Sequence, residues 1–255
     1  MTRLVLLFCL TVTLNLNMAR AEEITIAAAS DLHFAFKELI PEFEQATDTQ
    51  VNLSLGSSGN FFAQIQHGAP FDLYFSADIS YPQKLEAAGL TVPGSLSRYA
   101  VGRIVLWTRH DSPLNVTEGL QTLRHASIRK IAIANPKHAP YGRAAVAAMK
   151  HFNIYNRIHD RLVLGENVSQ TAQFVESGAA DIGIIAISLA LAPPLKDKGT
   201  YWEIPSEAYP PLEQGAVIIR SSKHHERAGQ FLEFLKSQQG QAIMTRYGFV
   251  IPESR

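Results

Sequence analysis

Strand and helix signals alternate along this chain, and the alternation predicts an α/β protein with largely parallel strands. Short apolar runs bounded by turn residues supply the strands. Between them, apolar residues recur at helical spacing. No internal repeat and no low-complexity linker divides the sequence. A chain that crosses more than once between two lobes leaves no such linker.

The first strand is Ile24-Thr25-Ile26-Ala27-Ala28-Ala29, and a helix follows through Leu32, Phe36, Leu39, Ile40 and Phe43. Pro41 is expected to interrupt and kink it, because proline has no N–H to donate. Val51, Leu53 and Leu55 alternate with Asn52 and Ser54 as a second strand. Gly56-Ser57-Ser58-Gly59-Asn60 reads as a turn, and Phe61, Phe62 and Ile65 open the next helix. Further strands are expected at 71–75, 104–107, 131–134, 182–185 and 217–219. Helices are expected at 142–150, at 171–176 and around Phe231 to Leu235.

Residues 1–21 read differently from the rest. Arg3 gives a basic start, Leu4 to Leu16 is apolar, and Ala19-Arg20-Ala21 offers small residues where a signal peptidase cuts. This is the pattern of a secretory signal, with cleavage expected after Ala21. The apolar run is shorter than the roughly 20 residues that span a bilayer. Cys9, the single cysteine, lies inside it behind Phe8, which is too large for a lipoprotein processing site. The mature chain is therefore expected to be soluble, without disulfide or thiol chemistry, and to work in the periplasm. The leader holds two basic residues and no acid, so the mature chain carries 21 basic against 23 acidic residues, a net charge of −2. That balance gives no basic face, and nucleic acid is not expected as a partner.

Three segments place small or hydroxyl residues between a strand and a helix start: Ala29-Ser30-Asp31, Gly56-Ser57-Ser58-Gly59 and Asn167-Val168-Ser169. A helix start leaves N–H groups unpaired and carries partial positive charge. Several aimed at one point bind an anion without Lys or Arg. Each segment alone also fits an ordinary cap or a tight turn.

Read together, these segments resemble the periplasmic molybdate-binding proteins of the ModA family. The resemblance rests on Ala27-Ala28-Ala29-Ser30, on Gly56-Ser57-Ser58-Gly59 with Gln64-Ile65, and on the unbroken stretch from Gly68-Ala69-Pro70 to Ser76-Ala77-Asp78. It continues in Ala134-Asn135-Pro136, Pro140-Tyr141-Gly142, Gly165-Glu166-Asn167-Val168 and Arg246-Tyr247-Gly248-Phe249. The order and spacing are kept over essentially the whole mature chain, and the stretch from Gly68 to Asp78 is the most specific.

The resemblance implies a two-lobed periplasmic-binding-protein fold of type II, with the ligand cleft between lobes. Residues 22–101 and 216–255 would form lobe 1, and 102–215 lobe 2. It implies capture of a tetrahedral oxyanion, molybdate with tungstate, for an ABC-transporter permease in the inner membrane. It implies a monomer with no cofactor and no enzymatic activity. The carried-over ligand set is Ser30, Asp31 through its N–H, Ser58, Tyr141 and the Val168 N–H. The position where some relatives carry a tyrosine donor is Ala186 here, and Tyr141 is expected to compensate. Asp31 departs from the pattern. An ionised carboxylate about 4 Å from even a single negative charge costs on the order of 4 kcal/mol at an effective dielectric near 20. The expectation is that its side chain turns to its own helix start; the alternative is a ligand that is not a simple dianion.

Three other readings compete. Ser57 or Ser58 with His67 and Asp72 supplies hydrolase residue types, but the turn does not match Gly-x-Ser-x-Gly. His224-His225 with Glu226, and His138 or His151, could ligate a cation, but the spacing of a dedicated site is missing. The third keeps the fold and exchanges the ligand for sulfate, thiosulfate, phosphate or a small organic acid.

Overall fold

The structure, a computed structural model, describes residues 22–253. The expected signal segment, with Cys9, lies outside the described residues. Ten strands run in chain order as β1 (Glu22–Ala29), β2 (Thr49–Gly56), β3 (Leu73–Ser76), β4 (Ser97–Gly102), β5 (Ile104–Arg109), β6 (Ile131–Ala134), β7 (Leu162–Gly165), β8 (Ile182–Ala186), β9 (Gly199–Glu203) and β10 (Leu212–Ile218). The α-helices are α1 (His33–Thr47), α2 (Ser58–Gln66), α3 (Ser80–Ala87), α4 (Pro140–His151), α5 (Tyr155–Ile158), α6 (Val168–Glu176), α7 (Ile187–Ala190), α8 (Pro193–Lys196), α9 (His225–Lys236) and α10 (Gln238–Arg246).

The strands form two five-stranded sheets, ordered β2-β1-β3-β10-β4 and β7-β6-β8-β5-β9. Each sheet with its covering helices forms one lobe. Both sheets are mixed rather than largely parallel. β10 runs antiparallel to β3 and β4, and β5 antiparallel to β8 and β9. The reason is connectivity. These two reversed strands are the ones that receive the chain as it arrives from the other lobe. The first crossover is Arg103 alone, between β4 and β5. The second spans 204–211. Leu212 already pairs with Gly102, so the expected boundary between 215 and 216 falls inside β10, a strand of the first sheet over its whole length.

Burial explains why the sequence takes this form. In the first lobe Phe36, Phe43, Phe75 and Phe231 are fully buried and meet edge to face, with Phe36 and Phe75 centroids 5.0 Å apart. In the second, Trp107 is fully buried on β5. α1 runs through Pro41 to Thr47 without ending. Pro41 and Lys37, whose carbonyl loses its partner to the missing N–H, both lie on the exposed face, while Leu39, Ile40 and Phe43 hold the buried face.

Register positions the cleft. In the first lobe Ala29 pairs with Gly56, so β1 and β2 end level and release their loops side by side. In the second, Ala134 pairs with Gly165, and β6 and β7 do the same. In open α/β sheets ligands bind beyond such carboxyl ends.

Candidate functional site

Four helix starts converge where the lobes meet. Ser30 opens a short 3-10 turn (Ser30–Leu32) leading into α1, and Ser58 is the first residue of α2. From the other lobe, Tyr141 follows Pro140 at the start of α4, and Val168 begins α6. All five residues expected from the sequence (Ser30, Asp31, Ser58, Tyr141 and Val168) line one small cavity there. Among the described residues no Lys, Arg or His lines it. Whatever positive potential it holds comes from helix starts and hydroxyl groups. Two roomier hollows, one along Arg98 and Ile251 and one along Glu22 and Phe71, lie on the first lobe; the first meets no helix start and the second only that of α9, at His224.

The serine hydroxyls are committed differently. Ser58 Oγ accepts from the Ala77 N–H at 3.0 Å, and Ser30 Oγ accepts from the Ser169 N–H at 3.3 Å. Among the described residues neither hydroxyl donates, so each keeps a hydrogen for an incoming acceptor. Ser57, the N-cap of α2, is different. Its Oγ donates to the His138 carbonyl at 2.8 Å and lies 2.8 Å from His138 Nδ1. It fastens the lobes together.

Tyr141 and Asp31 also differ from expectation. The Tyr141 hydroxyl donates to Asp31 Oδ2 at 2.9 Å, and Gln214 Nε2 donates to the same oxygen at 2.7 Å. The Asp31 carboxylate is held by Tyr141 from the other lobe and by Gln214 on β10 of its own, with a lesser contribution from its own backbone N–H at the helix start. Tyr141 spends its single hydrogen on this carboxylate, which leaves its start-of-helix N–H as its contribution to the cavity. Tyr99 donates to Gln214 Oε1 at 2.7 Å and fixes the amide. Burial pushes the Asp31 carboxyl up to about 6, against the smaller opposing effect of the Gln214 and Tyr141 donors. Burial, and then the neighbouring Asp31 charge, hold the Tyr141 phenol well above its usual range.

Sequence reasoning missed Gln214, Tyr99 and Ser188, whose Oγ donates to the Asp31 carbonyl at 2.7 Å. They stand far away in sequence, and nothing local marks them. Gly102 carries the one faint signal, a glycine closing a strand. A Cβ there would collide with the Tyr141 hydroxyl and the Gln214 amide.

The rival constellations do not assemble. Asp72 accepts from the Thr25 N–H at 2.7 Å and from Ser222 at 2.5 Å, and His67 caps the end of α2. Neither reaches Ser57 or Ser58 in any described hydrogen bond. Among the described residues no three His, Cys, Asp or Glu side chains gather as a metal site. No described helix is long and apolar enough to cross a membrane.

This architecture is shared with known proteins. The family model for bacterial extracellular solute-binding proteins matches residues 24–250. The molybdate-binding protein ModA of Azotobacter vinelandii is 35% identical over 231 residues, covering 91% of each chain. That of Rhodobacter capsulatus is 36% identical over 232 residues, covering 91% of this chain and 90% of its own. The solved structure of the Azotobacter vinelandii periplasmic molybdate-binding protein superposes with a TM-score of 0.85 at 34% identity, covering 90% of this chain and all of that one. Matched along nearly its whole described length in sequence and in fold, the chain belongs to the bacterial extracellular solute-binding proteins, within the ModA family.

Proposed function

We propose that this chain captures a tetrahedral oxyanion, molybdate and with it tungstate, and hands it to the permease of an ABC importer. The observation that carries this is the pair of serine hydroxyls, Ser30 and Ser58, each of which accepts from a backbone N–H and donates to no described residue. Each has a hydrogen to give and faces a cavity rimmed by helix starts. Hydroxyl and backbone N–H donors that converge at one point suit an acceptor-rich anion. The cavity is small, which suits an inorganic ion better than a sugar or an amino acid. Two ModA relatives that carry molybdate in their names support the same ligand.

In this reading Ser30, the Asp31 N–H and Ser58 hold the anion from the first lobe, and the Tyr141 and Val168 N–H groups from the second. Closure brings them together and expels water, and each charge-assisted hydrogen bond contributes about 1.5–3 kcal/mol. The protein acts as a monomer in the periplasm after loss of residues 1–21, docks on an inner-membrane permease, and performs no catalytic step. A second reading has one observation in its favour. The unpartnered Asp31 Oδ1 is an acceptor, and it suits an anion that carries a proton, such as phosphate.

Calorimetric titration of the chain from Glu22 onward with molybdate, tungstate, sulfate and phosphate tests both readings. Tight one-to-one binding of molybdate and tungstate, with sulfate and phosphate far weaker, is expected. Heat with phosphate alone would replace the first reading by the second.

A further inference from the structure

Asp31 is the one carboxylate lining the cleft cavity, and its two oxygens live in different surroundings. The side chain is buried, at 1% exposure. Oδ2 accepts from Tyr141 and from Gln214. Oδ1 has no partner. Neither donor is free to turn to a ligand. Tyr141 has a single hydrogen and gives it to Oδ2, and the Gln214 amide is held by Tyr99 on its other end. A dianion entering this cavity thus meets a buried carboxylate with one oxygen unpartnered by any other described residue and no cationic side chain in the lining.

The groups that face Asp31 from each packed element are neutral. β4 offers the Tyr99 phenol and α4 the Tyr141 phenol, both held protonated by burial. β10 offers Gln214, and α7 offers the Ser188 hydroxyl. From α6, Ser169 bonds Ser30 rather than Asp31. His33 on α1 lines a separate hollow with Phe34 and Leu189. His138 of the second lobe faces Ser57 and Glu166.

We propose that Asp31 meets the oxyanion as a neutral carboxylic acid, its Oδ1–H donating to a ligand oxygen, so that the cleft takes up one proton with each dianion. The inference rests on the reading of the cleft as an oxyanion site. The balance is simple. One solvent proton forms the Oδ1–H bond, the carboxylate charge falls from −1 to zero, and no other bond changes. A ligand that arrives as a monoanion and keeps its proton against Oδ1 gives the same sum. The cargo is therefore a tetrahedral oxyanion together with one proton. Burial already holds the carboxyl up at about 6, within reach of protonation near neutrality.

The test is calorimetry of the mature chain with sodium molybdate at about pH 7.5 in buffers of different ionisation enthalpy, repeated across pH. The expected result is close to one proton taken up per molybdate, with affinity falling about tenfold per pH unit above the carboxyl's own value. Asp31→Asn should abolish the uptake and flatten the pH profile. An infrared difference spectrum of the wild-type chain should show a protonated-carboxyl band appearing on binding, and this readout needs no variant. Tight molybdate binding with no proton uptake overturns the inference and leaves the function standing. Uptake that persists in Asp31→Asn places the proton on another group and also overturns it. Absence of molybdate binding at every pH removes the function and the inference together.

Discussion

Ser30, Ser57 and Ser58 all stand at helix starts in the cleft, yet their hydrogen atoms have different destinations. Ser57 spends its own on His138 across the lobes. Ser30 and Ser58 keep theirs, so Ser30→Ala and Ser58→Ala should each weaken molybdate binding at least about tenfold, the loss of about 1.4 kcal/mol, in calorimetry. Near-normal affinity in both would disprove the cleft assignment. Asp31 carries a separate consequence for stability. Its carboxyl is raised from 3.8 to about 6 by burial, so between those values the folded chain holds a proton that the unfolded chain has lost. Stability from this group is thus complete below about pH 4, falls as pH rises to about 6, and stays reduced above; the two-unit shift amounts to on the order of 3 kcal/mol. Asp31→Asn removes the ionisation. Its stability relative to wild type should improve by on the order of that amount between about pH 4 and about pH 7.5, read from urea midpoints. An unchanged difference across that range would mean that Asp31 ionises as freely folded as unfolded.

Among the elements, α6 shows how a cap serves both stability and the site. Asn167 at its N-cap accepts from the Gln170 N–H at 3.0 Å, which consumes one of the unpaired groups of the first turn and fixes where the Val168 N–H stands. Asn167→Ala should cost about 1 kcal/mol of unfolding free energy and also lower molybdate affinity. Asn167→Ser, which keeps a capping oxygen, should recover most of both. Loss of stability without loss of affinity would separate the cap from the site. The first turns of α2, α4 and α6 also explain where sequence reading fell short. It started these helices at Phe61, Gly142 and Thr171, whereas they begin at Ser58, Pro140 and Val168. The missing turns, Ser58-Gly59-Asn60, Pro140-Tyr141 and Val168-Ser169-Gln170, are too short to show apolar periodicity, and each contributes a residue to the cleft cavity lining. Strands β7 and β9 escaped for a related reason. They are edge strands with half of their residues or more turned outward; β9 shows no continuous apolar run, and β7 offers only the three residues Leu162 to Leu164.

On the scale of the whole molecule, closure is held by contacts outside the cavity. Arg143 of the second lobe bonds Asp78 of the first at 2.5 Å and Tyr81 at 3.2 Å. The Gly59 N–H reaches the His138 carbonyl at 2.9 Å, and Asn60 meets Glu166. Arg143 touches no cavity atom in these bonds and is 39% exposed, so the pair contributes no more than about 1 kcal/mol in water and is weakened by salt. Arg143→Ala should therefore raise the molybdate dissociation rate a few-fold in stopped-flow measurements, with little change in the association rate. High salt should reduce the difference between variant and wild type. An effect confined to the association rate would show that the pair steers the ligand and does not hold the lobes.

The sequence by itself determined the α/β alternation, the core strands and the five residues that meet in the cavity. Apolar periodicity and small-residue turns are local, and the order of motifs along the chain is enough to reveal the resemblance that carried the set. Only the tertiary structure decided what those residues do to one another. It placed Gln214 and Tyr99 around Asp31, gave the Tyr141 hydrogen to a carboxylate rather than to the cleft, spent Ser57 on closure and left Oδ1 without a partner. Each of these depends on a contact between residues more than 70 positions apart in sequence. A hydrogen atom has one destination, and which acceptor takes it is fixed by the distances that folding creates.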